Sequence, residues 1–219
     1  MKAIIFAGGV GTRLWPLSRK NSPKQFEKVI GDKSTLQLAV ERLLPDFAWE
    51  DIYISTSQKY VSIVKEQLPK VKSSHIIGEP EAKDVGPAVG LTIANLLKSF
   101  PDTPMVILWS DHILKEDGLF RKILDTCAKV VTRDKNKLIF ISQKPRFASQ
   151  NLGWIEFEKE KLDREGLKFH EFKSFHYRPN LSIAEKFFKS GFHAWNLGYF
   201  VTTPSFLWQL FKLHQPQMY

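Results

Sequence analysis

The chain has 219 residues, 43% hydrophobic and 25% charged, a globular composition that excludes intrinsic disorder and suffices for one large core. Its longest apolar runs, such as MVILW at 105–109, fall far short of the roughly 20 residues that span a bilayer, and Met1-Lys2 leads straight into AIIFAGG, too short for a signal peptide. The net charge of +9 is spread along the chain and suits phosphorylated ligands. The lack of basic blocks and zinc-finger spacing disfavours nucleic acid, and the single Cys127 excludes an internal disulfide and points to a reducing, cytoplasmic setting.

In chain order, KAIIF at 2–6 predicts a first strand that runs into a glycine loop. A helix follows Ser34, because STLQ spells a capping box and Leu36, Val40, Leu43 and Leu44 share one face. DIYIST at 51–56 predicts a strand, 58–67 a helix opened by Ser57, and HIIG at 75–78 a third strand. A loop holding Glu79, Pro80, Gly86 and Pro87 leads to a helix over about 88–98 and then to the apolar strand PMVILWSDH at 104–112. A helix over 118–132 and the strand KLIFIS at 137–142 close the alternating series, which implies a mostly parallel sheet covered on both faces. Beyond it, GWIEFE (153–158), LKFHEFKSF (167–175) and AWNLGYFV (194–201) read as strands, with helices near 182–190 and after Pro204. The expected organisation is one domain over 1–219, with a nucleotide-binding half over 1–143 and a mixed-sheet, substrate-side extension over 144–219.

Gly8, Gly9 and Gly11 follow the first strand, where a parallel sheet places ligands and glycine lets backbone N–H groups approach a phosphate. GGVGTRL fits neither the P-loop nor the dinucleotide fingerprint. The loop instead carries Thr12 and Arg13, then Pro23 and Lys24, and cations beside backbone donors suit a polyphosphate. The glycines alone read equally as a tight turn among solvated cations. Asp111 ends the buried 104–112 strand and is the candidate Mg²⁺ ligand, since Mg²⁺ takes one or two carboxylates plus phosphate oxygens; the other reading makes it an N-cap or turn residue before the helix that follows. His112 reads as a packing or hydrogen-bonding residue, and Cys127 as a buried, inert thiol. Phe187, Phe188, Phe192, Trp195, Tyr199 and Phe200 read as core rather than as a stacking platform.

The string FAGGVGTRLWPLSRKNSPKQF at 6–26 closely resembles the signature of the sugar-phosphate nucleotidyltransferases, in the spelling of the mannose-1-phosphate guanylyltransferases. GEPEAKDVGPAVG (78–90), WSDH (109–112), NLGWIEF (151–157), FHYRPN (175–180) and AWNLGYF (194–200) follow in family order. The resemblance implies a Rossmann-like α/β fold and transfer of a nucleotidyl group from GTP to a sugar 1-phosphate, mannose 1-phosphate first, with Mg²⁺ as cofactor. It places Gly8, Gly9, Gly11, Thr12, Glu79 and Pro87 along the nucleotide, Arg13 on the leaving phosphates, Lys24 beside the α-phosphate and Asp111 on the metal. It places Gly153, Tyr177, Arg178 and Asn196 along the sugar phosphate. Such catalysis rests on positioning and charge stabilisation.

The sugar side departs from the pattern. Tyr177-Arg178-Pro179 stands where the family has Glu-Lys-Pro, Leu197 replaces the serine of Trp-Asn-Ser-Gly, Leu152 and Trp154 replace tyrosines around Gly153, and DVGP at 84–87 replaces Asn-Thr-Ala-Pro. The family's second metal carboxylate lies beyond Trp-Asn-Ser-Gly, yet no Asp or Glu follows Glu185. Two expectations result: a shortened guanylyltransferase with an incomplete metal site, or a non-catalytic relative that binds nucleotide or sugar phosphate. In either case the expected partners are GTP, a sugar 1-phosphate and a second copy or an active homologue.

Overall fold

The computed structural model describes residues 1–9 and 23–219. In chain order these form β1 (Lys2–Phe6), β2 (Lys28–Ile30), β3 (Lys33–Ser34), α1 (Thr35–Glu41), β4 (Ile52–Ser57), α2 (Val61–Gln67), β5 (Ile76–Glu79), α3 (Val85–Leu97), β6 (Met105–Trp109) and α4 (Asp117–Arg133). The rest form β7 (Ile139–Gln143), β8 (Gly153–Arg164), β9 (Leu167–Tyr177), α5 (Leu181–Ser190), β10 (His193–Thr202) and α6 (Pro204–His214). The expected α/β class with a mostly parallel sheet flanked by helices is what the chain adopts.

Two compact units divide the chain. Met1–Leu138 with Val201–Tyr219 form one, and Ile139–Phe200 the other. This differs from a division after residue 143, because α6 returns to the first unit, where Phe211 comes within reach of Gly90 on α3.

In the first unit the strands run in the order β5-β4-β1-β6, all parallel. Ala3, Ile4 and Ile5 on β1, Ile52 and Ile54 on β4, and Met105, Val106 and Ile107 on β6 are buried. Continuous apolar runs of this kind mark strands covered on both faces. Helix α1 begins with the expected capping box: Ser34 Oγ accepts from the Gln37 N–H at 3.2 Å and Gln37 Oε1 from the Ser34 N–H at 3.0 Å. Helix α4 buries Phe120, Leu124, Cys127 and Val131, one face at helical spacing. Helix α3 starts at Val85, earlier than its sequence suggests, because Gly86-Pro87 sits in the first turn, where a missing N–H costs nothing. The short ladder β2-β3, turning at Gly31 with φ 60°, carries too little pattern to be read from sequence.

In the second unit β8 pairs antiparallel with β10 on one side and β9 on the other, and β7 also pairs with β10. The β8–β9 hairpin closes over Glu165-Gly166, both at positive φ (53° and 79°), the backbone twist that two-residue hairpin loops favour. Helix α5 is capped by Asn180, which accepts from the Ile183 N–H at 3.0 Å, and ends at left-handed Gly191. One sheet face carries Trp154 and Trp195, which pack with Ala184 and Phe187 of α5. Of the six aromatics expected in the core, Trp195 and Tyr199 are buried, whereas Phe188 and Phe192 are exposed because they lie on the outer side of α5 and in the turn after it. Among the described residues, no helix is long and apolar enough to cross a membrane.

Candidate active site

The carboxyl ends of β1, β4, β5 and β6 converge on a small polar cluster. After β1 the chain turns into Gly8 and Gly9, and the turn is held from three sides. The Ala7 N–H donates to Ser55 O at 2.7 Å, Thr56 Oγ1 donates to Ala7 O at 2.8 Å, and Gln25 Nε2 bridges Ala7 O and Gly9 O at 2.9 Å each. Thr56 and Gln25 are buried, so these bonds form away from competing water. Glu79, at the end of β5, accepts from Ser55 Oγ at 3.0 Å, and a Cβ on Gly8 would stand 3.3 Å from its Oε1. Glycine therefore lets the first turn pass close to the Glu79 carboxylate.

Asp111 follows β6 and forms an ion pair with Lys24. The residues lie 87 positions apart, and the parallel pairing of β1 with β6 closes that separation. Burial opposes ionisation of Asp111, but the Lys24 ammonium outweighs it and holds the carboxyl below its ordinary pKa. The helix after Asp111 begins only at Asp117, with Glu116 at the cap position, so Asp111 is not a helix cap but a residue of the turn that follows β6. His112 lies 3.9 Å from Asp111 Oδ1, and its carbonyl accepts from an Arg42 guanidinium nitrogen at 2.6 Å. Burial pushes the His112 imidazole down against the pull of Asp111, with Arg42 and Lys24 adding to the effect, so the ring is neutral at pH 7.

Arg42 is itself held by Arg121, which donates to its carbonyl at 2.8 Å, and Arg121 also pairs with Asp46. An ionised, partly exposed carboxylate oxygen beside a strand-end glycine turn is the hard donor that Mg²⁺ takes, and Asp111 fits that ion as one protein ligand among phosphate oxygens.

The sequence-predicted residues are distributed as follows. Gly8, Gly9, Lys24, Glu79 and Asp111 come together, and Pro87 lies exposed in the first turn of α3. Gly11, Thr12 and Arg13 lie outside the described residues. In the second unit Asn196, Gly153 and Tyr177 are direct cross-strand partners on β10, β8 and β9, so they share one sheet face, and Arg178 follows with its guanidinium 5.1 Å from the Tyr177 ring. A Cβ on Gly153 would meet the Phe175 ring at 2.8 Å, which accounts for glycine there. Trp154 points to the opposite face and is core. The sequence pattern does not single out Gln25, Ser55 or Arg42. Gln25 was legible in principle as the amide inside PKQF, but Ser55 and Arg42 carry no local pattern.

The nucleotidyl transferase family model matches residues 2–215. The chain is 29% identical to mannose-1-phosphate guanylyltransferase 2 of Escherichia coli O157:H7, covering 99% of this chain and 46% of that protein. It is 31% identical to the alginate biosynthesis protein AlgA of Pseudomonas fluorescens, covering 100% of this chain and 45% of that protein. The chain thus spans about 45% of the length of the curated relatives it matches. A crystal structure described as mannose-1-phosphate geranyltransferase from Thermus thermophilus superposes with a TM-score of 0.87 at 27% identity, over 99% of this chain and 61% of that one. The mannose-6-phosphate isomerase structure from Helicobacter pylori superposes at 0.77 over 99% of this chain and 75% of that one, and at 22% identity speaks to the fold alone. With a family match running almost end to end and the glycine turn, Lys24 and Asp111 assembled at the sheet's carboxyl edge, the chain belongs to the nucleotidyl transferase family.

Proposed function

We propose that the protein transfers a guanylyl group from GTP to a sugar 1-phosphate, mannose 1-phosphate first, giving a GDP-sugar and pyrophosphate with Mg²⁺. The observation that carries this reading is the Lys24–Asp111 pair beside the Gly8-Gly9 turn. A sugar-phosphate oxygen attacks the α-phosphorus and the bond to pyrophosphate breaks. The backbone at Gly8 and Gly9 borders the triphosphate, and Lys24 offsets charge that builds around the α-phosphate. Asp111 and the phosphates would hold Mg²⁺, which supplies charge neutralisation on phosphoryl oxygens when bound. Gln25 and Thr56 act by positioning, since they fix the turn whose N–H groups face the phosphates. The names of the similar guanylyltransferases support GTP and mannose 1-phosphate as the first substrates to try.

The test is pyrophosphate release by the full chain from GTP, mannose 1-phosphate and Mg²⁺. Turnover that falls about 100-fold or more in Asp111→Ala supports the reading, a loss of the size expected when one preorganised charge contact is removed. Turnover indifferent to Asp111→Ala and Lys24→Met overturns the assignment of the site. The exposed Tyr177, at the position of the family's glutamate, favours a second reading as a non-catalytic binder. That reading expects GTP to raise the melting temperature with no pyrophosphate released.

A further inference from the structure

We propose that Glu156, His176 and His193 form a binding site for a divalent transition metal of the Zn²⁺ class, on the opposite face of the β10-β8-β9 sheet from Asn196, Gly153 and Tyr177. Topology builds the cluster. Glu156 on the middle strand is the direct cross-strand partner of His193 on β10 and of Ser174 on β9, and His176 lies two residues beyond Ser174 on the same face. One ligand atom from each of the three side chains lies within 4.8 Å of the other two. Metal binding has to contract that triangle by about an ångström, since Zn²⁺ bonds to nitrogen and oxygen are about 2.0–2.2 Å.

Hydrogen bonding decides which nitrogen of His193 carries its proton. The Ser190 hydroxyl donates its one proton to Phe187 O at 2.8 Å and accepts from the Phe192 N–H at 3.1 Å. Its 2.7 Å contact with His193 Nδ1 is therefore one in which Nδ1–H donates. The neutral ring then bears its lone pair on Nε2, which is buried and has no hydrogen-bond partner. A buried acceptor without a partner is costly, and a metal ion satisfies it. The Ser190 contact is the outer hydrogen bond that metal-ligating histidines commonly make.

The other two ligands are also oriented. Ser174 Oγ donates to Glu156 Oε2 at 2.7 Å and stands 2.8 Å from His176 Nε2, while Lys173 pairs with Glu156 Oε1 at 2.7 Å. In that contact His176 Nε2–H donates, because the one proton of Ser174 goes to Glu156; metal binding at Nε2 replaces the contact and shifts the His176 proton to Nδ1. Phe187 of α5 stacks on His193 at 4.0 Å between centroids and lies 4.7 Å from His176, which limits both rings. Two imidazoles and one carboxylate suit Zn²⁺ or Co²⁺ and disfavour Mg²⁺ and Ca²⁺, which take oxygen ligands. Water completes a four-coordinate shell, because His176 is part exposed. The bound ion would tie β8, β9 and β10 together beside the end of α5.

The experiment titrates the full chain with Zn²⁺ by calorimetry and with Co²⁺ by visible absorption. One equivalent of Zn²⁺ is expected, with intense tetrahedral Co²⁺ bands and a raised melting temperature, and Mg²⁺ at the same concentration should not compete. His193→Ala and His176→Ala should each weaken Zn²⁺ binding at least tenfold, whereas His112→Ala and His170→Ala should leave it unchanged. As a readout independent of variant folding, Zn²⁺ should protect the part-exposed His176 of the unaltered chain from diethyl pyrocarbonate. No Zn²⁺ binding, binding unchanged in His176→Ala, or absence of that protection overturns the proposal.

Discussion

Cys127 sits on the buried face of α4, and burial pushes its thiol up to about 12. The folded chain therefore holds this proton to higher pH than the unfolded chain, whose thiol titrates near 9.0. The stabilisation that this gives is complete below about pH 9 and is lost as pH rises toward 12. Native protein at pH 8 should resist alkylation for as long as it stays folded and react at once in denaturant, measured by mass spectrometry. Rapid native labelling would show that the thiol is not enclosed. At the same scale, Asp111 and Lys24 stood out in the sequence because strand-end position and charge are local properties. Gln25 and Ser55 did not, because a buried amide that ties Ala7 to Gly9 is meaningful only once the turn exists.

Helix α1 shows how far an element can be read from its own residues. STLQ contains both halves of its cap, and Ser34 Oγ additionally donates to Gln67 Oε1 at 2.6 Å, which anchors the end of α2. Ser34→Ala should cost about 1–2 kcal/mol of unfolding free energy, measured by urea denaturation, since it removes a cap and leaves the half-buried Gln67 amide oxygen without this donor. A cost below a few tenths would mean that water replaces the hydroxyl. Helix α3 was only partly legible: Gly86-Pro87 looks like a loop, and its place in a first turn depends on Asp84, which adopts φ 75° and accepts from the Val85 N–H at 2.8 Å. Strands β8 and β9 run longer than their apolar patterns because hairpin pairing carries the ladder past the buried stretch into exposed residues.

At the scale of the whole chain, the last helix closes the first unit through a small polar junction. Asp102, after α3, accepts from Ser205 Oγ of α6 at 2.8 Å and pairs with Lys135, after α4, at 2.7 Å. Lys135 first, then Ser205, hold the Asp102 carboxyl below its ordinary value. Its contribution is present above the ordinary carboxylate range and is lost as pH falls through the folded value. Asp102→Asn should therefore lower stability at pH 7 and narrow its difference from the parent at pH 3, followed by thermal melts at both values. A gap that widens in acid would reverse the assigned sign.

The class of fold, the glycine turn and the strand-end carboxylate are legible in the chain alone, because hydrophobic period, capping residues and strand-end position act over a few neighbouring residues. Folding in three dimensions was needed to return α6 to the first unit, to bring Lys24 to Asp111, and to set Glu156, His176 and His193 on one sheet face. The pairings among these residues depend on strand order and register, and a shift of one residue in β8, β9 or β10 would turn the shifted strand's side chains to the other face.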